Sequence, residues 1–131
     1  MSVLTLESMA ILILAPSRVL GVALQRELKD MGAQQMASYQ TMASAIQHVG
    51  EKPVDVIISS LYFEDGDAIE LMQHLQQEPQ LQHIKLILIS SEERSELLDK
   101  AKASGIQAIL PRPFTHQAFE HALASCVNPH K

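Results

Sequence analysis

Two patterns alternate along the 131 residues of this chain. Short unbroken apolar runs occur at Ile11-Leu12-Ile13-Leu14, Val56-Ile57-Ile58, Leu86-Ile87-Leu88-Ile89 and Ala108-Ile109-Leu110. Between them, apolar residues recur every third or fourth position. An unbroken run marks a strand covered on both faces, and the longer spacing marks one apolar face of a helix. The helical faces are Leu20, Leu24, Leu28 and Met31, then Met42, Ala45, Ile46 and Val49, then Ile69, Met72 and Leu75. Two more follow, with Leu97, Leu98 and Ala101, and with Phe119, Ala122, Leu123 and Cys126. Ala33 to Tyr39 reads as a weaker, more polar strand, which suits a sheet edge.

The punctuation agrees with this division. Ser17, Thr41 and Thr115 stand where N-caps are needed, and Gly32, Gly50 and Gly105 stand where helices close. Asp67 with Glu70, and Ser90 with Glu93, have the spacing of a capping box, so a helix is expected from Glu92 to Ala103. Pro16 ends the first strand and Glu78-Pro79 ends the third helix.

Five strands alternating with five helices predict a doubly wound parallel sheet in a three-layer α/β sandwich. One reversal of strand order, giving 2-1-3-4-5, sets the ends of the first and third strands side by side. That groups Ala15, Pro16 and Ser60, with Ser90 and Arg112 arriving from the fourth and fifth strands. The polar loop after Ser60 reads as a site, because ligands of such folds sit at the strands' carboxyl ends. The expected division is an extension over 1–9, one domain over 10–127, and a tail or linker start over 128–131.

Composition narrows the chemistry. A net charge of −5 argues against an independent nucleic-acid binder. No apolar run approaches the roughly 18 residues that span a bilayer, and the first nine residues hold no Lys or Arg, unlike a secretory signal. The single Cys126 cannot form an internal disulfide, which points to a reducing compartment and a cytoplasmic location. The six His residues show no metal-ligand spacing. Ala15-Pro16-Ser17-Arg18 is no Gly-rich phosphate loop, and no base is placed beside the serines, so no enzymatic activity is expected.

From about residue 10 to 127 the arrangement resembles the CheY-like receiver domain of two-component response regulators. In that family the first strand ends in an acidic pair that holds Mg²⁺, and the third ends in the aspartate that accepts a phosphoryl group. The fourth ends in Thr or Ser, and the fifth in Lys before Pro and Phe. By this resemblance the acidic pair falls on Ala15 and Pro16, the acceptor on Ser60, the Thr/Ser position on Ser90 and the Lys position on Arg112. Pro113, Phe114 and Asp67 match the family. The Pro and Gly of its loop motif have no match in Phe63 to Ala68, and Ile109 replaces a switch aromatic.

The resemblance therefore implies a degenerate receiver, a phosphorylation-independent regulatory module of two-component or phosphorelay signalling. It implies no metal and no cofactor. It also implies contact with a protein partner or a second copy through the fourth helix, fifth strand and fifth helix, with Glu92, Glu93, Arg94, Lys100, Lys102, His116 and His121 as candidates. Two alternatives are a small anion held by Arg112 and Ser90, and, least favoured, phosphoryl acceptance on Ser60. Capping alone also accounts for Ser90 and Asp67. Glu64 and Asp65 are solvated, bind a cation, or pair with Arg112.

Overall fold

The structure is a computed structural model that describes residues 6–127. The expected tail, 128–131, and the first five residues of the expected extension lie outside it. Each apolar run forms a strand: β1 Ala10–Leu14, β3 Val56–Ser59, β4 Lys85–Ser90 and β5 Ala108–Pro111. The polar segment supplies β2, Gln35–Tyr39. The order is β2-β1-β3-β4-β5 with every pairing parallel, so β2 does lie at an edge. The helices are α1 Arg18–Asp30, α2 Met42–Glu51, α3 Ala68–Gln77, α4 Ser95–Ala103 and α5 His116–Val127.

Successive strand residues point to opposite faces, so an unbroken apolar strand needs two covers. Leu12, Leu14, Ile57, Leu86 and Leu88 pack under α2, α3 and α4 with Ala45, Leu71 and Leu75. Ile11, Ile13, Ile58, Ile87 and Ile89 pack under α1 and α5 with Leu28, Phe119 and Leu123. Met9 joins the second core and is buried. Each such side chain contributes about 1.5–3 kcal/mol by leaving water. Burial also pushes the Cys126 thiol up to about 11, which keeps it protonated inside that core.

Most caps form as the residue types require. Ser17, Thr41 and Thr115 accept from the N–H three residues on, at 3.2, 3.2 and 3.0 Å. Gly32 and Gly105 take φ of 111° and 102°, values at which a glycine relieves the turn after a helix. Two expectations fail. Gly50 does not close α2, which runs on to Glu51 with Lys52 bonding the His48 carbonyl. Ser90 and Glu93 form no capping box, and α4 begins at Ser95, not at Glu92. Ser90 is still in the sheet, paired with Pro111, and its carbonyl, which an N-cap gives to the first helical turn, accepts from the Arg112 N–H.

One feature lies outside the alternation. After β3 the chain makes a small antiparallel hairpin, with Tyr62 opposite Asp67 and Phe63 opposite Gly66. Among the described residues, no helix is long and apolar enough to cross a membrane.

Candidate functional site

The carboxyl ends of β3, β4 and β5 enclose a crevice of about 480 Å³. Its walls are Ser60, Leu61 and Tyr62 on one side, Ile89 to Glu93 along the middle, and Arg112 on the other. Ser60 is held in place by its N–H, which donates to the Leu14 carbonyl at 3.0 Å. The Ser59 hydroxyl donates to the Ser60 carbonyl at 2.7 Å. Ser90 is buried, and its hydroxyl oxygen accepts from the Glu92 N–H at 2.9 Å, which turns the chain out of the strand. Arg112 donates its backbone N–H to the Ser90 carbonyl at 3.0 Å, while its side chain is exposed and makes no ion pair among the described residues.

The sheet thus brings Ser60, Ser90 and Arg112 to one crevice. Ala15 follows β1 and is buried, but it lines a separate cleft with Tyr39 and Thr41. Pro16 is exposed beside it. No cluster of three or more His, Cys, Asp or Glu side chains that could hold a metal ion occurs among the described residues.

The acidic loop is occupied by structure. Asp65 sits at the tip of the hairpin and accepts from the N–H groups of Met42 and Ala43 at 2.8 and 2.9 Å. Those N–H groups open α2 and have no partner within the helix. Their bonds hold the Asp65 carboxyl below its ordinary value. Asp65 therefore meets a helix terminus and not Arg112. Asp67 and Glu70 form the expected reciprocal box, at 2.9 and 3.0 Å.

On the crevice side, Glu92 takes a two-pronged bond from the Arg94 guanidinium, 2.7 Å from Nε and 3.0 Å from Nη2. The Arg94 N–H adds a bond of 2.9 Å, and Nη2 reaches the Tyr62 hydroxyl at 3.4 Å. Hydrogen bonds from Arg94 bring the Glu92 carboxyl down to about 2, and the same contacts raise the Arg94 guanidinium further above its usual range.

The remaining candidates divide. Lys100 and Lys102 are exposed in the second half of α4. His121 lines a groove of about 670 Å³ between β5 and α5, with Ile109, Leu110 and Ala118. His116 turns to α1, with Nδ1 3.2 Å from a Glu27 carboxylate oxygen. The hairpin and the bonds of Asp65 to α2 were missed by sequence reasoning. The signal for them is Gly66, which pairs with Phe63 across the two-residue polar turn Glu64-Asp65. Gly66 has φ +155°, and a side chain there would strike Met42 and Glu70.

A five-stranded parallel sheet of order 2-1-3-4-5, with a crevice at the carboxyl ends of its strands, is a flavodoxin-like doubly wound α/β domain. The profile of the response regulator receiver domain family matches residues 11–124, and the chain belongs to that family. No curated protein matches it. The structure is similar to the chemotaxis response regulator CheY4 of Vibrio cholerae, with a TM-score of 0.81 at 20% identity, covering 90% of this chain and 98% of that one. It is similar to the signal receiver domain of an HD domain-containing protein from Pseudomonas fluorescens Pf-5, with 0.85 at 22%, covering 98% and 93%. The signal receiver domain of a signal transduction histidine kinase from Syntrophus aciditrophicus gives 0.84 at 20%, covering 93% and 92%.

Proposed function

We propose that this chain is a degenerate receiver that regulates by contact and accepts no phosphoryl group. The observation that carries this reading is the set of residues at the ends of β1 and β3. Ala15, Pro16 and Ser60 stand there, and none offers a carboxylate. Mg²⁺ is a hard ion held in such sites by carboxylate oxygens. An acyl phosphate needs a carboxylate, and a serine nucleophile needs a base to take its proton. The acids that do line the crevice are Glu92 and Glu93, and Glu92 is held by Arg94.

The partner face of this reading is α4, β5 and α5, with Glu93 ahead of α4, Lys100 and Lys102 on it, and His121 in the groove beside β5. The partner is a protein or a second copy, and the location is cytoplasmic, in keeping with one buried thiol. The test is intact-mass measurement after incubation with acetyl phosphate and Mg²⁺. No added mass is expected, and a stable phosphoryl adduct on Ser60 would overturn the reading. Sedimentation of the chain, alone and with partner, should be the same with and without the donor.

A second reading has its own observation. Arg112 is exposed without an ion-pair partner among the described residues, and the Ser60 and Ser90 hydroxyls share its crevice. A small oxyanion fits that set. Titration with inorganic phosphate should shift the amides of Ser60, Ser90 and Arg112, and Arg112→Gln should remove the response.

A further inference from the structure

Strand β2 pairs with β1 alone, so its other side is an open edge. The Ala15 N–H bonds the Tyr39 carbonyl at 3.1 Å. Backbone groups of successive strand residues point to alternate sides, so Gln35, Ala37 and Tyr39 face β1. Met36 and Ser38 then direct their N–H and C=O groups outward. Sheet edges are commonly guarded by charge, proline or a bulge. The β5 edge ends on Pro111, with Arg112 and Pro113 next. The β2 edge has no such guard: Gln34 to Thr41 contains no charged residue and no proline.

Two clefts lie along this edge. One, of about 370 Å³, runs beside Gln35 and Met36 and takes in His48 and Lys52. The other, of about 470 Å³, runs beside Ser38 and Gln40 and takes in Arg18. Neither is lined by a carboxylate, although the chain as a whole carries a net charge of −5. Neither Arg18 nor Lys52 makes an ion pair among the described residues. The nearest carboxylate to the first cleft, Asp55, is committed to the Ala10 N–H at 2.8 Å, so the cleft walls present cations beside the outward backbone groups of β2.

We propose that β2 is the docking edge for an extended acidic segment of a partner protein, which adds to the sheet as a sixth strand. Main-chain bonds to Met36 and Ser38 supply the pairing, and the cations select the sign of charge. Arg18 opens α1 and Lys52 follows α2, and these helices cover opposite faces of the sheet. The incoming strand therefore needs carboxylates on opposite faces, an odd number of positions apart. Three positions span about 10 Å of strand. A second copy of this chain fits less well, because pairing two β2 edges gathers the cations of both copies without an acid between them.

The test is titration of the isotope-labelled chain with a short blocked peptide of valine and threonine carrying two glutamates three positions apart. The control peptide has glutamines instead. The acidic peptide should shift the amides of β2 and bind at least tenfold more tightly than the control, and added salt should weaken it. Ser38→Pro removes an outward N–H without touching the β1 ladder and should abolish binding, with circular dichroism checking the fold. Lys52→Glu, at an exposed position, should weaken the acidic peptide at least tenfold. Equal binding of the two peptides would overturn the proposal. So would shifts confined to β5 and α5, or β2 shifts that follow protein concentration without peptide, which would mark a second copy.

Discussion

The loops after β3 and β4 begin alike and end differently. Each leaves a buried strand at a serine, and each carries an acid–x–x–Glu or Ser–x–x–Glu spacing ahead of a helix. After β3, Asp67 and Glu70 exchange bonds and α3 starts at once. After β4, Ser90 bonds the Glu92 N–H, and α4 starts at Ser95 behind Arg94, which has no side-chain cap bond. The difference is register. Asp67 is paired only within the hairpin and leads straight into α3, whereas the carbonyl of Ser90 is taken by the Arg112 N–H in the main sheet. Residue spacing proposes a cap, and the place where the ladder ends decides whether it can form.

The largest effect of breaking this contrast is expected at Asp67. Asp67→Ala removes the acceptor for the Glu70 N–H while keeping the backbone N–H that the Glu70 carboxylate accepts from, and should cost about 1–2 kcal/mol in urea unfolding. If the loops were equivalent, Ser90→Ala would cost as much. It should instead cost about 0.5–1 kcal/mol, the value of one turn hydrogen bond, and leave the start of α4 unchanged by amide chemical shifts. An equal loss in both variants would remove the distinction drawn from register.

Between these two lies Asp65, which fastens the β3 loop to α2. Asp65→Asn keeps the shape but loses the charge that two helix N–H groups favour. The folded carboxyl lies below its ordinary 3.8. Its contribution is therefore complete above that pH and is lost as pH falls through the lower folded value. Urea midpoints of the parent and Asp65→Asn should differ at neutral pH and converge in acid. Midpoints that stay apart at the lowest pH would show that the carboxylate charge is not what holds the loop.

The fold was legible because apolar runs and helical spacings report burial, and burial is set by the whole sandwich. Ile57, Leu88 and Phe119 could be placed from their neighbours alone. The crevice was legible in part. Parallel topology put Ser60, Ser90 and Arg112 at one end of the sheet, and the structure sets them in one crevice. Asp65 was not legible, because its partners at Met42 and Ala43 are more than twenty residues away and are backbone groups with no signature of their own. Ala15 stands beside Ser60 as the topology required, one residue past the Leu14–Ser59 pair. A strand end has two sides, and the cleft it lines is shared with β2. The start of α4 was misjudged because capping spacing says nothing about the length of the strand before it.

The smallest expected effect, and the finest probe of the β4 loop, is at Glu92. Its carboxyl is held at about 2, against an ordinary 4.5, first by its bonds from Arg94. The folded value is depressed, so the contribution is present above 4.5 and is lost between 4.5 and about 2. Arg94 is exposed while the Glu92 side chain is largely covered, and an ion pair with one well-solvated partner adds only modestly to stability. Glu92→Gln should therefore lower the urea midpoint at neutral pH only slightly, while the titration is easily seen. The Glu92 carboxyl carbon should titrate near 2 in the parent and near 4.5 in Arg94→Ala. Arg94→Lys should fall between, since Lys keeps the charge and loses the planar fork. A parent midpoint near 4.5 would mean that Arg94 does not clasp the loop. The β4 side of the crevice would then be held by Ser90 alone, against two fastenings on the β3 side.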